Sequence, residues 1–479
     1  MHRRRTGHCG DHRKRRVAGP PDRSTPVQLL PLADDLIAFV AAEIARHGVP
    51  GAAIGVLHGG NMHVAGVGVT SVEQPLPVTP HTLFQIGSTS KTFTATAAMQ
   101  LVEEGALDLD ATVRTYLPWF RLQSESDAAR LTVRDLVTHH TGFVGDYFKD
   151  TGRGDDAIGT IVRKMANSPQ LVPAGTTFSY SNAAFFVLGH IVETLRGMPF
   201  ERVINERVFA PLGMDRSFYF AEECITHAVA VGHIVTANGA AVVRRWHTPR
   251  SIAPGGGITS NVIDQLRYAA LHAQVVADRR VLRDDTIAFM REPQRTAGSM
   301  CANIGIAWML DDAGGGHALV KHGGATNGQL SSFELVPAAG FAVTVLTNAD
   351  TGRTVRQTIA DQCQQAFLGF TKPLPQPARG LEPDLSEYAG EYRAVLAQLR
   401  VEVAAEGLLV TDISVPRAGA EPRMQPLSLP PALLLFIAPD ATAVLAGPRQ
   451  GERVEFLRDA SGRVAWLRWD GRIARRLAR

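Results

Sequence analysis

Between Ser88 and Glu103 the chain (STSKTFTATAAMQLVE) carries a single charge, Lys91, and no proline. Ala and Thr fill the positions that a surface helix would give to charged residues, so this segment reads as a helix buried on most sides and closed by Gly105. A helix without a polar face needs apolar structure around it. The 479 residues are enough for two or three domains, and 45% hydrophobic with 20% charged residues is an ordinary globular balance. Cys9, Cys224, Cys301 and Cys363 lie far apart with no C-x-x-C pair, which excludes a disulfide scaffold and a cysteine zinc site. The fold must therefore rest on its apolar core.

Other elements can be read around this helix. From Asp34 to Arg46, Leu36, Phe39, Val40 and Ile44 recur at helical spacing between an acidic start and a basic end. The runs Ala52–Leu57 and Met62–Val69, split by Gly59-Gly60-Asn61, predict a hairpin. Residues 106–290 read mostly as helices and long loops, with Leu131–His139 and Phe185–Leu195 the clearest helical patterns. Strand character returns at Ile304–Leu310, Leu319–His322, Ser332–Val336 and Phe341–Leu346, followed by a helix over Val355–Phe367. The expected fold is α+β: an antiparallel sheet made from strands at 52–69 and 304–346, flanked by helices, plus an α-rich subdomain. Residues 371–383 hold four prolines and predict a linker, and 384–479 alternate as strands around Gly/Asp turns, an all-β, barrel-like domain. The expected organisation is thus a basic disordered leader at 1–26, a main domain at 27–370, the linker, and the β-domain at 384–479.

Charge narrows the partners. The 49 basic and 46 acidic residues give a net +3, yet residues 1–26 hold eight Arg or Lys against Asp11 and Asp22, so the remainder is slightly acidic. The basic pI is a property of the leader and gives no reason to expect nucleic acid. An export signal would need an apolar run after the charges, whereas Ala18-Gly19-Pro20-Pro21-Asp22 follows. No stretch of 18 apolar residues occurs. The expectation is a cytoplasmic protein without a transmembrane segment, or an exported one if its start is misplaced.

Three places can carry chemistry. Ser88 and Lys91 are three apart, so on a helix a hydroxyl and an amine share one face. Burial disfavours the charged amine, and a neutral Lys91 can accept the Ser88 proton. Tyr180-Ser181-Asn182 precedes a predicted helix and offers a proton-relaying phenol and a carbonyl-orienting amide, although taken alone these residues read more readily as a buried tyrosine with a helix-capping Ser181 or Asn182. In His322-Gly323-Gly324-Ala325-Thr326-Asn327-Gly328, paired glycines at a strand end let a ligand approach the backbone. His139-His140 lack further ligands at metal spacing, and H-E-x-x-H, G-x-S-x-G and G-x-x-x-x-G-K-[ST] are absent, so neither a metal nor another cofactor is expected.

In this order the three motifs resemble those of the serine β-lactamase and penicillin-binding protein superfamily, in its class C-like branch of esterases, D-stereospecific peptidases and related hydrolases. The resemblance covers about 33–370. It extends to Leu107-Asp108-Leu109-Asp110, Leu131 to Gly142, Pro211-Leu212-Gly213-Met214 and Pro254-Gly255-Gly256-Gly257, and Tyr388-Ala389-Gly390-Glu391-Tyr392 looks like the opening of the β-barrel domain that some members append.

The resemblance implies an acyl-enzyme on Ser88, with Lys91 and Tyr180 moving its proton. The oxyanion would lie between the backbone amides of Ser88 and Ala325, and Asn182, His322 and Gly324 would contact substrate. His322 aligns with the family's lysine and places Lys321 on the opposite strand face. A histidine there is mostly neutral and favours an esterase or peptidase over a β-lactamase. Gln329 departs from the aromatic residue usual after the glycine. The expected substrate is a small ester, amide or D-amino-acyl peptide; the alternatives are a β-lactamase or DD-peptidase, or a non-catalytic ligand-binding or assembly module. Nothing in the sequence sets an oligomeric state.

Overall fold

A computed structural model describes residues 28–414, 431–447 and 449–478. The basic leader at 1–26 lies outside the described residues. The main sheet has nine strands in the order Gln28–Pro31, Asn61–Gly68, Gly51–His58, Phe341–Thr347, Leu330–Val336, His317–Ala325, Met309–Gly314, Asn303–Ile304 and Arg295–Thr296. Only the first pair is parallel; the chain-distant strands Gly51–His58 and Phe341–Thr347 are joined antiparallel at the centre.

Period-two alternation divides the central strands between two cores. Ala52, Ile54 and Val56, with Phe341, Val343 and Val345, face the helices Asp34–Arg46 and Gly352–Leu368. Ala53 and Leu57, with Ala342 and Leu346, face the α-rich side. There the helix Ser90–Glu103 is buried from Ser90 through Leu101, as its composition requires. Phe93 stacks on Tyr268 at a centroid distance of 3.8 Å. The helices Asn182–Arg196 and Val262–His272 pack around it, the former closed by Gly197 in the left-handed region.

Two elements differ from the sequence reading. The single strand expected at Ile304–Leu310 is two short ones, because Ala307 adopts φ 63° and its N–H bonds the carbonyl of Val137 at 3.0 Å. That kink lets Trp308 turn fully into the α-side core between His272 and Phe333. The helix expected over Leu131–His139 is confined to Val133–Val137. A Thr132/Asp135 capping box starts it, and His139, at φ 58°, lies beyond its end in a conformation a helix does not allow. A small hairpin at His233–Thr236 and Gly239–Val242 was not visible as a pattern.

Beyond the helix Gly352–Leu368 the proline-rich stretch runs without helix or strand, anchored by an ion pair of 2.9 Å between Lys372 and Asp361. It leads into eight antiparallel strands, from Gly390–Arg393 to Arg472–Arg476, which close on each other as a barrel around Tyr392, Leu408, Val454 and Leu467. The barrel rests on the helix Gly352–Leu368 and the 178–180 segment. Arg353 of the helix Gly352–Leu368 holds Asp470 at 3.1 and 3.2 Å, and Arg468 donates to the Phe178 carbonyl at 3.0 Å.

Because Phe93 is wholly buried between Phe209 and Tyr268, Phe93→Ala is expected to cost about 3–5 kcal/mol of stability, read as a lower urea midpoint.

Candidate active site

Ser88 sits in a single 3-10 turn, Gly87–Thr89, that enters the buried helix. Two glycines permit its position. Gly87 has φ +53°, and a Cβ there would lie 2.6 Å from the Ala325 nitrogen; a Cβ on Gly324 would lie 1.8 Å from the Ile86 carbonyl oxygen. Only bare backbones fit together this closely, so the Ser88 turn is pressed against the end of the strand His317–Ala325. Ser331 fastens the joint, donating to the Ile86 carbonyl at 2.8 Å and lying 3.0 Å from the Thr89 hydroxyl. Arg356 holds the other side through the Gly324 carbonyl at 2.7 Å.

Lys91, one helical turn on, is fully buried. Its Nζ lies 2.9 Å from Ser88 Oγ, 2.7 Å from Asn182 Oδ1, and within hydrogen-bond reach of the Gly255 carbonyl, where the triple glycine ends the short turn Ala253–Gly256. The last two atoms can only accept. A neutral amine has two hydrogens for them, and its lone pair is then left facing the Ser88 hydroxyl. Burial holds the Lys91 pKa well below its usual value, with Arg472 lowering it further and Asp146 opposing.

Tyr180 lines the cleft with Ser88 and lies with its ring 5.1 Å from Lys91 Nζ. Burial raises its pKa, against the pull of Ser88 and Arg472, so the phenol keeps its proton at neutral pH. His139 stacks on the Tyr180 ring at 4.4 Å, while its Nδ1 accepts from the Ser181 N–H at 3.0 Å. Asn182 opens the helix Asn182–Arg196, with Ser181 as its cap. Both ends of the Asn182 amide are in use: Oδ1 on Lys91, and Nδ2 donating to Asp146 Oδ1 at 2.7 Å.

His322 is 2% exposed and points into the cleft beside Tyr180. Its Nδ1 is 2.7 Å from the Gly323 carbonyl, an acceptor, so Nδ1 carries the proton and Nε2 is a lone-pair acceptor without a protein partner. Burial and the neighbouring Lys91 push its pKa down to about 3. Lys321, one residue earlier, turns to the opposite face and pairs with Asp311 at 2.7 Å. Gln329 is buried and accepts from the Gln85 N–H at 3.0 Å, a structural bolt. The cleft, of about 610 Å³, runs from Ser88 and Tyr180 along His322–Ala325 and is roofed by the barrel at Arg449, Trp469, Asp470 and Arg472.

A serine hydroxyl, a buried amine and a phenol thus meet around one cleft. The Beta-lactamase family model matches residues 36–365. The chain belongs to the beta-lactamase family. It is similar to Penicillin-binding protein 4 of Amycolatopsis lactamdurans, 33% identical over 362 residues that make up 72% of this chain and 94% of that protein. Among solved structures, SurE matches 93% of this chain and 98% of its own with a TM-score of 0.72 and 26% identity. A class C beta-lactamase from Rhodobacter sphaeroides matches 69% of this chain and 99% of its own at a TM-score of 0.58 and 26% identity. The protein is thus a beta-lactamase-family hydrolase with a C-terminal barrel.

Sequence reasoning about this beta-lactamase-family site did not find Asp146, Gly255 as a ligand of Lys91, or Arg472. Gly255 stood out only as part of a glycine run. Asp146 has no motif, and Arg472 follows an Asp-Gly turn whose target lies 326 residues away in the chain. Among the described residues no group of three or more His, Cys, Asp or Glu is placed to hold a metal ion, and no helix is long and apolar enough to cross a membrane.

His322 and His272, both with pKa pushed down to about 3, stay neutral in the folded protein and protonate on unfolding. A depressed folded-state pKa means that full stability is present above the unfolded value near 6.5 and drains away as pH falls toward about 3. Each is expected to remove about 2 kcal/mol between pH 6.5 and pH 5, and His322→Gln should flatten the pH dependence measured by urea unfolding.

Proposed function

We propose that the protein is a serine hydrolase that forms an acyl-enzyme on Ser88 and acts on a small ester, amide or D-amino-acyl peptide. The observation that carries this reading is the allocation of hydrogen bonds at Lys91. Two obligate acceptors take its two hydrogens and leave its lone pair for the one neighbour that can donate, the Ser88 hydroxyl. As Ser88 Oγ bonds to the substrate carbonyl carbon, its proton passes to Lys91 Nζ. The carbonyl oxygen becomes an oxyanion beside the backbone amides of Ser88 and Ala325. When the tetrahedral species collapses, the bond to the alcohol or amine breaks, and the protonated Tyr180 is placed to supply the leaving group with a proton that Lys91 restores. Water then attacks the acyl carbon, gives up a proton to the Lys91–Tyr180 pair and returns Ser88 Oγ–H with the free acid.

Substrate class follows from charge. In place of a lysine that would attract a carboxylate, the cleft presents His322, neutral and with an acceptor at Nε2. This supports an ester or peptide substrate, whose N–H or O–H groups can donate to Nε2, over a β-lactam. SurE, similar to this chain across both its main domain and its barrel, has been solved with D-Leu, which supports a D-configured acyl group.

Ser88→Ala is expected to lower p-nitrophenyl ester turnover on the order of 10³-fold or more, with fluorophosphonate labelling abolished. Nitrocefin is expected to turn over far more slowly than the ester. Wild-type turnover in the purified variant overturns the reading, nitrocefin as the faster substrate turns it into a β-lactamase, and stoichiometric labelling without turnover turns it into a ligand sensor.

A further inference from the structure

The barrel does more than roof the cleft. Its turn at Asp470-Gly471 is docked backbone to backbone on the segment that carries Tyr180, with the Tyr180 N–H donating to the Gly471 carbonyl at 2.8 Å. Gly471 has φ +74°, and a Cβ there would lie 2.6 Å from Met300 Sδ and 3.3 Å from Tyr180 Cβ, so any other residue would be strained and would displace Met300. Arg472, the next residue, extends its guanidinium across the Tyr180 ring at 5.0 Å and ends on Asp146, with Nε 2.6 Å from Oδ2 and Nη2 3.2 Å from Oδ1. Asp146 is buried and in turn accepts from the Asn182 amide nitrogen at 2.7 Å. A carboxylate can only accept, so Asp146 decides which end of the Asn182 amide turns to Lys91. That end is Oδ1, 2.7 Å from Nζ.

The geometry points to Arg472 and Asp146 as positioning residues, a cross-domain ion pair by which the barrel sets the orientation and the charge state of the Lys91 amine. This inference rests on the reading of Lys91 as the base for Ser88. The groups that face Lys91 are Tyr180 and Asn182 from the 180–182 segment, His322 from its strand, His139 and Asp146 from the 139–146 loop, the Gly255 carbonyl, and Arg472 from the barrel. Arg472 itself is flanked by Asp470 and, through it, Arg353. His139 and His322 are neutral, and Asp470 is already matched by Arg353, which holds it well below the usual carboxylate range. The charges that remain to act on Lys91 are the two of the ion pair, and they have opposite signs.

Opposite signs give a test that a merely structural role does not mimic. The rate of Ser88 modification by a fluorophosphonate, measured against pH on the full-length protein, has an acid limb that reports deprotonation of Lys91. Arg472→Gln removes the cation, leaves Asp146 to stabilise the ammonium, and is expected to move that limb up by about one pH unit. Asp146→Asn keeps an acceptor for Asn182, removes the anion, and is expected to move it down by about the same amount. The double variant is expected to fall between them and Arg472→Lys to lie close to the unaltered protein, with circular dichroism confirming that each is folded. Limbs that do not move, or that move in one direction for both single variants, overturn the inference while leaving Ser88 as nucleophile. Unaltered protein that fails to label at Ser88 overturns the inference and the reading beneath it together.

Discussion

A lysine amine sealed in an apolar core has few stable forms, and the architecture around Ser88 follows from satisfying one. The helix Ser90–Glu103 carries Lys91 to a depth at which water cannot reach it, so every hydrogen on its nitrogen must find an acceptor within the protein. One comes from the start of the helix Asn182–Arg196, another from the glycine turn at Gly255, and the two have to arrive together. That requirement ties three segments of the α-rich side together around one nitrogen. The glycines at 87 and 324 meet a second requirement of the same place, the close approach of two backbones, which a methyl group on either would prevent.

Much of this could be read in the sequence because the signals are local. The uncharged stretch after Lys91 announced its own burial, and the spacing of Ser88 and Lys91 placed both groups on one face. The strand-rich runs Ala52–Leu57 and Phe341–Leu346, far apart in the chain, announced strands of one sheet. What could not be read was decided by tertiary packing. Ala307 takes a positive φ so that Trp308 can turn into the core, and nothing in Ile304–Leu310 taken alone signals that break. Arg472 and Asp146 are ordinary residues within their own segments. They gain meaning only from a contact that joins opposite ends of the fold, and no periodicity reports such a contact.

The site therefore belongs to two units of structure. The main domain supplies the serine hydroxyl, the amine and the phenol, and the barrel supplies the backbone carbonyl that receives the Tyr180 N–H and the guanidinium that lies over its ring. Arg468, held by Glu455, reaches the Phe178 carbonyl from the same barrel edge, so three consecutive residues from Phe178 to Tyr180 run alongside barrel strands. A buried N–H left without an acceptor costs about 1–3 kcal/mol, which makes this docking a condition for order at Tyr180.

The Tyr180–Gly471 bond also has a consequence in time. The ribosome delivers the chain from its N-terminus, and the partner of the Tyr180 N–H is made almost three hundred residues after it. The main domain is thus synthesised with one edge of this cleft unsatisfied, and its geometry is completed only when the barrel has emerged and closed. A chain that stalls before residue 471 carries the serine and the lysine but not the contact that holds the tyrosine beside them.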